Sequence, residues 1–330
     1  MWFEKLTGLT DDSRASVQQH LRLDGTQLTS AVNGRTLECG RFELPSLAEL
    51  RQRSTWSADG QGRLRIREVI GDVQHYHVFP ESKGALFQAA SQFNMLEMVA
   101  PSVLPEAGIA SYEYDRTQGP ACAIACGAGT IYRNYFVPIG DQLGQTEHQQ
   151  LDGLSLLAAY FENEERQLWQ MRNGYALANR DGLRYLTEHL NALSAAEYEA
   201  LKGRLQLGIQ WDTEVTISPQ RMLVSQIYCS ALPVAYSQID ASAWEAFARL
   251  VLSATYEATF YAALENAART GNSRVYLTLV GGGAFGNREE WLLETIVPVL
   301  KQFASADLEV IFVSYGQASP LVWQIIDQLN

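Results

Sequence analysis

From residue 240 to the C-terminus the chain alternates helix, strand, glycine loop, helix, strand and helix, and that order restricts the fold more than any other feature. Residues 240–270 (DASAWEAFARLVLSATYEATFYAALENAART) read as a long helix or a broken pair, opened by Asp240 and closed by Gly271, an N-cap residue and a C′ glycine. SRVYLTLVGGG (273–283) reads as a strand running into glycines. NREEWLLETIVPVLKQFAS (287–305) reads as a helix capped by Asn287, DLEVIFVSYG (307–316) as another strand, and SPLVWQIIDQLN (319–330) as a last short helix. Strands separated by helices pair in parallel through right-handed crossovers. Ligands of such sheets bind beyond the carboxyl ends of the strands, here the loops at 281–287 and 314–318 and the loop after Ser91.

The upstream chain is more mixed. Residues 1–64 are expected to form an N-terminal extension packed on a main domain of residues 65–330. Within the extension, SLAELRQRS (46–54) is a short helix with Ser46 and Glu49 as a capping box. RLRIREVIG (63–71), HYHVFPE (75–81) and GALFQAAS (84–91) have strand character, the last as a run buried on both faces. Pro120 opens a small-residue helix, ACAIACGAGTIYRNYF. Residues of about 145–205 read as a helical insertion, with Gly174 closing one helix and Ser194 capping another. Residues 205–218 and 221–233 read as a pair of strands.

Composition narrows the partners. The chain has 330 residues, 47% of them hydrophobic, so it can bury a sizeable core. Its formal net charge of -12, with no run of Lys or Arg, argues against nucleic acid and acidic membranes. Four scattered cysteines, Cys39, Cys122, Cys126 and Cys229, suit reduced core residues better than a disulfide framework. His75 and His77 alternate without a third ligand, so no metal is expected. The start, MWFEKLTGLTDDSR, lacks the basic and apolar regions of a secretion signal, and no apolar run reaches the length of a spanning helix. A cytoplasmic location is the expectation.

The stretch Val280-Gly281-Gly282-Gly283-Ala284-Phe285-Gly286-Asn287 carries the chemistry. Glycines let the backbone approach a ligand closely, and N–H groups at a helix start favour an anion. A phosphate or diphosphate is the natural guest; a tight strand-to-helix turn with no ligand is the plainer reading. No Gly-Lys-Ser/Thr follows, so this is not a Walker loop. The acids Glu289 and Glu290 suit the first helical turn without any chemistry.

VGGGAFG after a strand resembles the second phosphate loop of macrodomains. EVIFVSYG resembles their last strand, which puts Tyr315 in the position of an aromatic that stacks on the ligand, with Phe285 over the ribose-phosphate portion. Gly71-Asp72-Val73 resembles the motif whose Asp accepts from the adenine amino group. ALFQAAS (85–91) stands where macrodomains carry an apolar strand ending in Asn-Ala-Ala-Asn, so Ser91 or Asn94 takes the contact to the distal ribose. The resemblance spans roughly residues 66–330. It implies an α/β, macrodomain-like three-layer sandwich with a mixed, mostly parallel central sheet, plus the N-terminal extension and the helical insertion. It also implies ADP-ribose as ligand or product, no further cofactor, and ADP-ribosylated protein as partner. Where ordinary macrodomains carry a Gly-Gly-Gly loop after the Asn, this chain has PSVLPEAGIASYEYDRTQGPACAIACGAGT. That is similar to a divergent branch, exemplified by the bacterial effector MavL, which removes ADP-ribose from modified ubiquitin.

Hydrolysing the C1″ glycosidic bond needs a carboxylate to activate water or stabilise an oxocarbenium ion. Asp115, before the small-residue helix, is the first candidate and Glu106 the second; Glu97 and Glu113 rank behind them. Gln118 would orient water or a ribose hydroxyl. Asp115 also suits a simple turn cap. Arg133 reads as half of a surface ion pair rather than a phosphate contact. Three functions follow: an ADP-ribosyl hydrolase acting on modified protein, with arginine- and ubiquitin-linked groups as candidate substrates; a reader that binds ADP-ribose without turnover; and another nucleotide-using α/β enzyme.

Overall fold

The computed structural model describes residues 1–329. Its centre is a sheet of seven strands: β1 (Arg41–Glu43), β2 (Arg65–Ile70), β3 (Leu86–Ala90), β4 (Gly208–Glu214), β5 (Leu223–Cys229), β6 (Arg274–Leu277) and β7 (Glu309–Ser314). Their spatial order is β1-β4-β5-β3-β6-β7-β2. The pairs β5–β3, β3–β6, β6–β7 and β7–β2 are parallel, and only β4 runs against its neighbours β1 and β5. This is the mixed, mostly parallel sheet expected.

Alternation along each central strand divides two cores. Leu86, Ile227, Val275 and Val310 face one layer, while Phe87, Tyr228, Tyr276 and Ile311 face the other. The first layer holds α1 (Leu47–Arg53), the 26-residue α5 (Glu245–Thr270), α6 (Glu289–Gln302) and α7 (Pro320–Asp327). The second holds α2 (Val73–His77) and α3 (Gln118–Ala125), which bring Val73, Cys122 and Cys126 against the sheet. The result is a three-layer sandwich. A third cluster joins the first forty residues to Leu96, Tyr112, Ile131 and Tyr135.

Several caps are as the sequence implies. Ser46 accepts from the Glu49 N–H at 3.2 Å while Glu49 accepts from the Ser46 N–H at 2.7 Å. Asp240 caps the 3₁₀ turn that leads into α5, and Gly271 closes that helix in the left-handed region.

Other expectations are corrected. The segment 75–81 is not extended: His75–His77 end α2, which Asp72 starts by accepting from the Gln74 N–H, and Pro80–Ser82 form a 3₁₀ turn. The 145–205 block is not all helical. It contains a hairpin, Trp169–Arg172 with Tyr175–Ala178, before α4 (Arg180–Ala192) and a helix at Ala195–Lys202. Asn173 and Gly174 have φ of 47° and 80°, as a two-residue type I′ turn requires. Gly174 therefore serves a hairpin, not a helix end. The small-residue helix starts at Gln118, two residues before Pro120, and breaks at Cys126 into a second helical turn and a π-helical turn, Tyr132–Phe136.

α3 lies very close to β3, because Gly119 has no side chain. A Cβ there would stand 2.1 Å from the Ala90 carbonyl oxygen. Gly119→Ala is expected to destabilise the protein by about 1–3 kcal/mol, as overpacking does; unchanged denaturant midpoints would refute this contact.

Candidate functional site

The carboxyl ends of β2, β3, β5, β6 and β7 open into one cleft made of two joined cavities. The first, of about 460 Å³, is bounded by Asp72, Val73, Ser314 and Tyr315. The second, of about 380 Å³, is bounded by Ser91, Glu97, Asp115, Tyr175, Gly281 and Gly283–Phe285. Thr117, Gln118, Thr278 and Leu279 line both. Each is within the usual range for a small-molecule site.

The loop after β6 is folded on itself. Gly281 and Gly286 have φ of 81° and 71°, a conformation in which only glycine is unstrained. The Asn287 N–H donates to the Gly281 carbonyl and the Gly286 N–H to that of Gly283. Asn287 is not the cap of α6: the helix starts at Glu289 with Arg288 in the cap position. Its side-chain amide instead donates to Leu232 O at 2.9 Å and Gly281 O at 3.3 Å, tying the loop to the sheet. The N–H groups of Gly281, Gly283, Ala284 and Phe285 have no acceptor among the described residues. These four residues line the second cavity, whereas Gly282, Gly286 and Asn287 do not. Unpaired donors on a cavity wall suit an anion, and they are loop donors rather than the helix-start donors expected.

At the other end Asp72 and Val73 form one wall and Tyr315, 70% exposed, the lip. Phe285 packs in the second cavity against Tyr175 and Tyr236, at ring-centroid distances of 5.3 and 5.6 Å. The sequence did not single out Tyr175 or Tyr236. Tyr175 follows the Asn-Gly turn of the insertion hairpin, and that dipeptide was the available signal.

Ser91 is buried, and its hydroxyl donates to Leu96 O at 3.1 Å. Asn94 lies outside the cleft wall. It is fully buried and bonded to Gln150 and to the Leu96 N–H, so it shapes the loop rather than a ligand surface.

The acids separate clearly. Asp115 lines the second cavity and accepts from the Thr117 N–H at 2.8 Å. Gln118 staples α3 to β3, accepting from the Ala90 N–H and donating to Gln88 O, both at 3.1 Å. Glu106 sits away from the cleft, accepting from the Glu147 N–H, and Glu113 accepts from the Trp2 N–H. Glu97, ranked low from sequence, lines the cavity and is 3% exposed. Burial raises its carboxyl to about 7, against the pull of the Arg133 guanidinium. Its signal in sequence was a lone acid inside the apolar run MLEMV.

Arg133 is not a surface residue. It is wholly buried, donating to Met95 O at 2.9 Å, to Tyr228 Oη and to Glu97 Oε1 at 3.4 Å. Its guanidinium also lies 3.6 Å over the Tyr228 ring. The π-helical turn aims it inward. His77 is likewise buried; its ring contacts Val73 O and the Gln226 amide, and burial lowers its pKa to about 4. Among the described residues no cluster of His, Cys, Asp or Glu could hold a metal ion, and no helix is long and apolar enough to cross a membrane.

No protein-family model matches this chain, and no curated protein matches it. Solved structures do. Poly(ADP-ribose) glycohydrolase from Thermomonospora curvata is 13% identical over 96% of this chain and 97% of its own, with a TM-score of 0.48. The same enzyme bound to the inhibitor ADP-HPD gives 13% identity, 96% of each chain and 0.48. Poly(ADP-ribose) glycohydrolase from Deinococcus radiodurans, in complex with ADP-ribose, is 12% identical over 87% of this chain and 93% of its own, with a TM-score of 0.44.

Proposed function

We infer that this protein binds ADP-ribose along the cleft and hydrolyses the bond at C1″ of an ADP-ribosyl group on modified protein. The observation that carries this reading is the row of unpaired N–H groups at Gly281 and Gly283–Phe285, set between an Asp72–Tyr315 end and an acid-lined end. Adenine fits the first end, with its amino group toward Asp72. The diphosphate lies against the loop amides, whose N–H dipoles face its charge. The distal ribose then falls under Phe285 and Tyr175, beside Ser91 and the carboxylates. An arginine-linked or ubiquitin-linked group is the substrate class that the sequence resemblance favours.

The bond from Asp115 to the Thr117 N–H favours a second reading, a module that holds ADP-ribose without turnover. Calorimetry with ADP-ribose, AMP, NAD and NADP tests the shared part. ADP-ribose is expected to bind tightest and AMP more weakly, with no gain from an intact dinucleotide. A preference for NAD or NADP would instead mark a dinucleotide-using enzyme. Release of ADP-ribose from an arginine-modified peptide or from modified ubiquitin separates hydrolase from reader.

A further inference from the structure

Two acids reach the second cavity, and their surroundings differ. Asp115 is half-buried at the mouth, with one oxygen already bonded to the Thr117 N–H. Glu97 lies deeper. Arg133 holds its Oε1, and its backbone N–H donates to Tyr112 Oη at 3.0 Å. Its Oε2 is buried and has no partner among the described residues. A buried carboxyl oxygen without a partner is unfavourable unless a guest supplies one. Gly119 makes room for it: a Cβ at that position would come within 3.3 Å of Glu97 Cγ.

We propose that Glu97 is the acid–base of this cleft, its Oε2 exchanging a proton first with the group leaving C1″ and then with water. This rests on the ADP-ribose reading above. In the first step protonated Glu97 gives its proton to the leaving atom as the bond to C1″ breaks and the electron pair goes to that atom. A ribosyl cation remains beside the ionised carboxylate. In the second step a water oxygen bonds to C1″ and the water proton returns to Glu97. The sum adds one water across the bond, with no oxidation or reduction, and restores the acid.

Such a group must be protonated near neutral pH, and burial holds Glu97 at about 7 against Arg133 and the hydroxyls of Ser91 and Tyr112. The other titratable groups coupled to it, Tyr228 and Cys122, are pushed well up by burial and stay uncharged. Asp115 is the other acid on the cavity wall. Arg133 is a positioning residue, fixing Oε1 so that Oε2 is the free oxygen.

The test is Glu97→Gln, which keeps the size and removes the proton exchange. ADP-ribose binding by calorimetry is expected to stay close to wild type. Release from an arginine-modified peptide or modified ubiquitin is expected to slow at least about 100-fold, the scale of general acid–base catalysis. The wild-type rate is expected to fall as pH rises through about 7, and that limb is expected to vanish in the residual rate of Glu97→Gln. A purely structural role would not move it. Glu97→Asp, which keeps the charge facing Arg133 but withdraws the carboxylate by one methylene, is expected to bind and turn over slowly. Glu97→Gln working at the wild-type rate, or Asp115→Asn alone abolishing turnover, would overturn the assignment and leave ADP-ribose binding standing. Wild-type protein that binds ADP-ribose but releases none overturns both hydrolysis and the role of Glu97. Failure to bind ADP-ribose at all overturns the underlying reading.

Discussion

Gly283→Val is expected to leave the fold intact and to weaken ADP-ribose binding at least about 10-fold, roughly 1.4 kcal/mol. The two halves of that result have separate causes. A Cβ at Gly283 meets no heavy atom within 4 Å, so a side chain there strains nothing. Gly283 lines the second cavity, so added bulk there is expected to compete with the proposed diphosphate. The neighbouring Gly281 is the control. Its φ of 81° disfavours any side chain, and a Cβ would stand 2.4 Å from that of Ala231. Gly281→Val should therefore lower stability as well as binding. Calorimetry combined with thermal melts distinguishes the two, and a folded Gly283→Val that binds at wild-type affinity would remove the loop from the site.

Arg133→Met is expected to destabilise the protein by about 3–5 kcal/mol, the range found when one partner of a buried ion pair is removed. The guanidinium is wholly enclosed and serves Met95 O, Tyr228 Oη and Glu97 at once. Its loss leaves Met95 O and Tyr228 Oη without their donor and holds Glu97 in its protonated form. The pH dependence has a fixed sign. The folded carboxyl of Glu97 sits above its ordinary value of 4.5, at about 7. The folded state therefore holds the proton more tightly than the unfolded chain, and this contribution to stability is full below 4.5 and lost as pH rises through about 7. Denaturant midpoints measured across that window should decline in wild type relative to Glu97→Gln. An Arg133→Met protein as stable as wild type would mean the pair carries no structural weight.

The sheet was legible because its strands are short apolar runs set between strong helical patterns, as at Val275–Leu277 and Val310–Phe312. The glycine loop was legible because three glycines after a buried strand have few local explanations. The insertion was misread where one dipeptide decides the outcome. Asn173-Gly174 fits a helix end or a hairpin turn, and only the alternation of WQMR and YALA around it favours the hairpin. Arg133 was misread because sequence carries no sign of where a π-helical turn points a side chain. Glu97 was ranked below Asp115 because its partner lies on another element, and an ion pair that closes only in the tertiary fold leaves no spacing to find. Asn287 shows the opposite case: a good capping residue whose amide is drawn inward by a carbonyl of the segment after β5.

The loop that bears Glu97 follows β3 but is moored elsewhere. Tyr175 Oη donates to Met98 O at 2.7 Å, and Asn173 reaches Pro101 O at 2.7 Å. Gln150 links Asn94 to Asn173 in the same hairpin. The loop around Glu97 is thus braced by a hairpin that the chain adds much later, as well as by Tyr112 and Arg133. The insertion therefore touches the floor of the cleft by a route that bypasses the sheet.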